Sequence, residues 1–240
     1  TAWAPHGMLP HVHVHTVLTN LLYPPACLLC RTPTTPHERG SPDRTISICV
    51  PCADAMPRSQ APLCPRCGVS LPGAFDAVVE CPTCRLHPLA FEMARSPWQY
   101  AGCTREAIRQ FKYAGHWRIG QWLAQEMATT AQASFPLQET TCVIPVPLFW
   151  IKRQFKGWNP AEQLAHTVAR CLHIPSVPQA LTRTRWTSTQ TRRHGRARFR
   201  NVHQAFTANP HLVQHRSVLL VDDVLTSGAT ASAAAAALHQ

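Results

Sequence analysis

Ser217-Val218-Leu219-Leu220-Val221-Asp222-Asp223-Val224-Leu225-Thr226-Ser227-Gly228-Ala229-Thr230 leads without a break into an alanine-rich run from Ala231 to Leu238. Four consecutive apolar residues ahead of the acids predict a buried strand of a parallel sheet. Two adjacent carboxylates follow, then a loop of small and hydroxyl-bearing residues, then a helix made mostly of alanine, the best helix former. In that order the loop brings backbone N–H groups to a helix N-terminus, where unpaired donors and the helix dipole favour a phosphate. The two acids suit hydrogen bonds from sugar hydroxyls or a hydrated Mg²⁺. A phosphorylated sugar satisfies both halves of the stretch. A capped strand–loop–helix with no ligand is the plainer alternative.

Working upstream, Asn159-Pro160-Ala161-Glu162 is a helix start, with Asn as cap, Pro in the first turn and Glu reaching back. Ala161, Leu164, Ala165, Val168 and Leu172 then recur at helical spacing. Thr141 to Pro147 predicts a second buried strand, closed by prolines. A helix is predicted over Ile119 to Ala133, and another, capped by Thr104, carries Ile108 and Phe111 to an end near Gly115. Phe91 to Tyr100 reads as a strand with Trp98 and Tyr100 on one face. Strands alternating with helices predict an α/β fold with a parallel sheet, whose ligands bind beyond the carboxyl ends of the strands. Pro145-Val146-Pro147 and Asp222-Asp223 both lie at such ends, which points to one site.

The first third of the chain is of another kind. Eight of the chain's eleven cysteines form four Cys-x-x-Cys pairs here: Cys27/Cys30, Cys49/Cys52, Cys64/Cys67 and Cys81/Cys84. A two-residue gap lets both thiolates of a pair face one tetrahedral ion, and two pairs complete a four-cysteine site, so eight cysteines suit two structural zinc ions. Sequential pairing is the simpler arrangement, with a cross-braced one left open. Gly68 stands where a zinc knuckle turns the chain back. The residues between the pairs are poor in apolar side chains, so metal would supply the folding free energy that burial cannot. Cys103, Cys142 and Cys171 stand alone in apolar surroundings and read as core residues. The expected organisation is a leader (1–22), a Cys-rich zinc-binding domain (23–90) and an α/β domain (91–240).

Charge follows the same division. Residues 1–100 carry seven Lys/Arg against six Asp/Glu, whereas residues 101–240 carry sixteen against six. A basic second half suits phosphate-bearing partners, either a small phosphorylated ligand or a nucleic-acid backbone. No apolar run is long enough for a membrane span, and the first residues lack the basic flank of a secretory signal, so a cytoplasmic protein is expected.

The Asp-Asp-x-x-Thr-Ser-Gly-x-Thr order resembles the phosphoribosyl-pyrophosphate (PRPP) motif of type I phosphoribosyltransferases. That resemblance assigns Asp222 and Asp223 to the ribose hydroxyls and Leu225, Thr226, Ser227, Gly228, Ala229 and Thr230 to the 5′-phosphate, with Mg²⁺ accompanying PRPP. Two further segments widen it. One is Ile144-Pro145-Val146-Pro147 followed by Lys152, Arg153, Lys156, Gly157, Trp158 and Asn159; the other holds Arg183, Arg185, Gln190, Arg198, Asn201 and Ala205-Phe206. With the cysteine-rich N-terminus these look like the ComF family, competence-associated proteins that join a zinc ribbon to a phosphoribosyltransferase-like domain.

The ComF resemblance covers residues 22–240. It implies a PRPP-like ligand, a role in DNA uptake and single-stranded DNA handling, and other competence proteins as partners. Relatives continue with a further strand after the motif's helix, so the expected 91–240 domain is one in which that final strand is missing. An active phosphoribosyltransferase using a nucleobase-like acceptor is the alternative, with Asp222, Asp223 and Arg198 catalytic and Lys152 and Arg153 helping to hold PRPP. Lys156 stands where relatives carry arginine, and its ammonium lacks the bidentate fork. Residues 183–200 hold seven arginines and no acid. They suit either the pyrophosphate of PRPP or single-stranded DNA, for which Arg192, Arg193, Arg196 and Trp158 are the candidates.

Overall fold

Pro145 and Val221 are partners in a parallel strand pair, so the two proline- and acid-terminated segments end side by side. The computed structural model describes residues 26–33, 48–73, 79–186, 202 and 204–239. The leader, Gln190, Arg192, Arg193, Arg196, Arg198 and Asn201 lie outside the described residues. In chain order the elements are helices α1 (Val50–Asp54), α2 (Pro82–Leu86), α3 (Gly102–Ala114) and α4 (Trp117–Ser134), then strand β1 (Thr140–Pro145). Helices α5 (Trp150–Lys156) and α6 (Pro160–Leu172) follow, then strands β2 (Leu181–Arg183) and β3 (Phe206–Ala208). The chain continues through α7 (Pro210–Val213), β4 (Ser217–Val221) and α8 (Ala229–Leu238).

Strands β1 and β4 form the parallel sheet, with Val143 opposite Leu219 and Ile144 opposite Leu220. The loop after α6 adds a parallel bridge at Ser176, with Val143 N–H donating to Pro175 C=O and Val177 N–H to Val143 C=O, both at 2.9 Å. Strand β1 is therefore flanked on both edges, and Cys142 to Ile144 are fully buried. Strand β4 was expected to be equally buried. Only Val221 is; Val218 to Leu220 are half-buried and Ser217 is exposed. Among the described residues β4 pairs only with β1, which leaves its other edge less covered.

Helices α3, α4 and α6 pack on one face of this pair around Phe111, Ile119, Leu123, Leu164 and Val168. Asn159 caps α6 as expected, its Oδ1 accepting from the Ala161 N–H at 3.2 Å while its Nδ2 donates to Val146 C=O at 3.1 Å. That one buried side chain joins the helix start to the end of β1. Gly115 ends α3 in the left-handed conformation at φ +70°. On the other face, α8 and the antiparallel β2–β3 pair enclose Cys142, Ile144, Leu181 and Phe206.

Two expectations are corrected. Phe91 to Tyr100 forms no strand: its backbone is spent on the Cys-rich region, with Ala94 N–H donating to Arg66 C=O at 2.7 Å and Gln99 N–H to Pro57 C=O at 2.8 Å. Trp98 is buried and Tyr100 exposed, so they do not share an environment. Thr104 does not cap α3. The cap lies three residues earlier, at Ala101, and the helix begins at Gly102, which places Thr104 inside the first turn at 2% exposure.

Candidate functional site

The acid pair follows β4 directly, so the strand's parallel pairing with β1 fixes where the carboxylates emerge. The Asp223 N–H donates to Asp222 Oδ1 at 2.8 Å, folding the first carboxylate back over its neighbour's backbone. Lys112, near the end of α3, places Nζ 2.8 Å from Asp223 Oδ1, and both side chains are only 18% exposed. Arg183, closing β2, brings a third charge: its guanidinium lies 5.3 Å from the centre of the Phe206 ring and interacts electrostatically with Asp222. Burial pushes the Asp222 carboxyl up to about 7, and the Asp223 charge adds to the rise. The Asp223 N–H, Lys112 and Arg183 act in the opposite sense. Burial also lowers the Arg183 guanidinium, and Asp222 counters it. Asp222 is thus a carboxyl poised to ionise when a cation or a hydroxyl donor arrives.

Beyond the acids, Gly228 takes the left-handed conformation at φ +74° and caps α8, which begins at Ala229. Thr226 is exposed while Ser227 and Thr230 are half-buried, so the loop offers hydroxyls at the surface beside the helix start. This element is tied to the Cys-rich region. Ser232 Oγ accepts from the Ala90 N–H at 3.0 Å, His239 Nε2 lies 3.1 Å from Ala90 C=O, and a side chain on Gly228 would touch Leu89 and Phe91. A cavity of about 330 Å³ opens between the two parts, reached by Asp222, Asp223 and Thr226 from one side and by Gly68 and Arg95 from the other.

The other expected residues lie on separate elements. Lys152 and Arg153 belong to α5, which leaves the end of β1 through Pro147. Trp158, half-buried, packs edge-on against Phe111 at 5.1 Å at the border of the helical core cluster. Trp150, Phe155 and Trp186 are the exposed aromatics of the basic half near these segments, at 61%, 90% and 48%. Lys112 went unrecognised in the sequence. It is one cation on an amphipathic helix far from the acids in the chain, and only the α3–β4 packing reveals it. Arg183 stands out only through its place in a quoted family segment.

The eight paired cysteines fall into two groups, Cys27/Cys30/Cys49/Cys52 and Cys64/Cys67/Cys81/Cys84, each with its four sulfurs within 4.8 Å of one another. Pairing is therefore sequential. A tetrahedral zinc with Zn–S of about 2.3 Å has sulfur–sulfur edges of about 3.8 Å. The observed Cys30–Cys49, Cys67–Cys81 and Cys64–Cys84 separations are 3.6, 3.6 and 3.8 Å, so both clusters fit a structural zinc ion. Burial pushes the Cys52 and Cys84 thiols up, which a divalent cation in their midst reverses. Gly68, at φ +72°, turns the second knuckle; a Cβ there would lie 2.4 Å from Ala94 C=O. Of the lone cysteines, Cys142 is buried as expected, Cys103 is half-buried, and Cys171 is exposed on the outer face of α6, which corrects its assignment to the core.

Two clusters of four cysteines abutting a parallel strand pair and its helices define a zinc-ribbon protein with an appended α/β body. A double zinc ribbon domain matches residues 18–85. The DNA utilization protein YhgH of Shigella flexneri is 32% identical over 213 residues, 88% of each chain. Competence protein F of Haemophilus influenzae is 30% identical over 51% of this chain and 56% of its own, and competence protein ComFC of Bacillus subtilis is 24% identical over 80% and 77%. The chain belongs to the ComF family, as its sequence pattern implied. No solved structure matches it significantly. No helix among the described residues is long and apolar enough to cross a membrane.

Proposed function

We infer that this chain binds PRPP or a related phosphoribosyl ligand together with Mg²⁺ and uses it in handling single-stranded DNA during competence, in the cytoplasm. The observation that carries this reading is the acid pair at the carboxyl end of β4, flanked by Lys112 and Arg183 and followed by a hydroxyl loop that starts α8. The ribose hydroxyls donate to Asp222 and Asp223, and the loop from Leu225 to Thr230 receives the 5′-phosphate. Asp222 and Asp223 would hold Mg²⁺ accompanying the pyrophosphate, and the ion would there supply positive charge to balance the ligand's. The DNA reading draws support from relatives named as DNA utilization and competence proteins and from the arginine-rich segment.

The test is a calorimetric titration of the zinc-loaded protein with PRPP, with and without Mg²⁺. Mg²⁺-dependent binding that disappears in Asp222→Asn/Asp223→Asn is the expected result; heats unaffected by the double substitution would remove the assignment. For DNA, neutralising Arg192, Arg193 and Arg196 should weaken salt-sensitive single-strand binding and flatten its salt dependence by up to about three charges.

A further inference from the structure

Phe149 lies just past the prolines that close β1, is 8% exposed, and carries two tryptophans against its ring. The ring of Trp150, the first residue of α5, is centred 5.8 Å away, and that of Trp186, shortly after β2, stands nearly perpendicular at 5.6 Å. Those tryptophans are 61% and 48% exposed. One indole in water needs no explanation, but two resting on a single buried ring form a patch whose geometry is set before any partner arrives. They come from segments far apart in the chain, so the patch is a product of the fold. None of the three lines the cavity at the acid pair. Its surroundings in sequence are basic. The stretch 148–157 holds Lys152, Arg153 and Lys156 and no acid, and Arg183 and Arg185 precede Trp186. Between Thr140 and Val221 twelve Lys/Arg stand against a single acid, Glu162.

We propose that Trp150 and Trp186, held on Phe149, are a stacking platform for the bases of single-stranded DNA, with the strand's phosphates drawn by the basic segments that carry them. The proposal rests on the single-stranded DNA part of the function inferred above and gives it a surface. Charge complementarity selects a polyanion, and exposed indoles select one whose bases are free to stack. A duplex keeps its bases paired and stacked, so it offers the patch only phosphates. A lipid surface is met by the apolar face of one helix, whereas here the second indole comes from the segment after β2. The aromatics and the cations therefore divide the work: rings grip bases, and charges grip the backbone.

The experiment titrates the full-length zinc-loaded protein into labelled oligodeoxythymidine, an abasic tetrahydrofuran strand of the same length and a duplex, followed by anisotropy, and into phosphatidylcholine–phosphatidylglycerol vesicles. Oligodeoxythymidine should bind tightest. Trp150→Ala/Trp186→Ala should weaken it about tenfold or more, the equivalent of about 1.4 kcal/mol, toward the affinity of the abasic strand. The same variant should leave abasic binding and the salt slope unchanged, because every cation remains. Trp150→Phe/Trp186→Phe, which keeps a ring at both positions, should recover most of the loss. If oligodeoxythymidine binding is intact in the alanine variant, or falls no further than abasic binding does, the platform is refuted while the DNA reading stands. If the alanine variant loses vesicle binding and keeps DNA binding, the patch meets lipid and the proposal is overturned. If the wild-type protein binds no single strand, the platform and the DNA reading fall together. Thermal melts of both variants separate a lost contact from a lost fold.

Discussion

Lys112 and Asp223 meet at 2.8 Å across the junction of α3 with the end of β4, each side chain about four-fifths shielded from water. The pair restrains the second acid and, through the charge of Lys112, eases ionisation of the first. Breaking it leaves a shielded carboxylate unpaired. Lys112→Ala should destabilise the protein by about 1–3 kcal/mol, between the ranges for exposed and buried pairs. PRPP affinity should fall in the same variant. Denaturant melts and calorimetry on one preparation read both effects, and a variant of wild-type stability would show the pair to be idle.

The Asp222 carboxyl has its own pH signature. Its folded pKa is raised to about 7 from 3.8, so between those values the folded state holds a proton that the unfolded state has released. Stability from this group is fully present below about pH 4 and is lost as pH rises toward 7. Asp222→Asn should therefore melt higher than wild type at pH 8 and nearly equal to it at pH 4. Ligand binding, which needs the ionised form, should strengthen from pH 6 to 8 in wild type. That gain should be absent in Asp222→Asn, whatever contribution comes from titration of the ligand's own phosphate.

The ribbon's attachment to the α8 element predicts a coupling. Ser232 Oγ and the Ala90 N–H are 3.0 Å apart, and Leu89 packs with the second cysteine cluster. Chelating the metal should release about two zinc ions per chain and loosen the region around Ala90 and Ser232, read as faster amide exchange at Ala90. Ser232→Ala should reproduce part of this at a cost of about 1 kcal/mol. Exchange at Ala90 that is indifferent to zinc would separate the ribbon from the site.

Gly120 tests the packing behind the site. A Cβ there would stand 2.3 Å from Phe111 Cε2, and Phe111 is fully buried against Trp158. Gly120→Ala should cost about 1–3 kcal/mol through overpacking, despite alanine's better helix propensity. A stabilised variant would mean that the ring moves aside freely.

Local rules made several elements readable in advance. Asn159-Pro160 announced the start of α6, Gly115 the end of α3, and the paired cysteines their two clusters, because each signal is carried by residues close together in the chain. Phe91 to Tyr100 misled for the opposite reason. Its alternation has a strand's period, yet its backbone hydrogen bonds go to residues around Arg66 and Pro57, and no local pattern encodes those partners. Lys112 and Arg183 were illegible on the same grounds. Their meaning comes from elements that meet only in three dimensions.

The most direct test of the phosphoribosyl assignment is a crystal structure of the protein with PRPP and Mg²⁺. The account predicts the ribose 2′- and 3′-oxygens within hydrogen-bond distance of Asp222 and Asp223 and the 5′-phosphate on the Thr226–Thr230 backbone. A ligand bound elsewhere on the chain, with the acid pair still engaged only by Lys112 and Arg183, would contradict it.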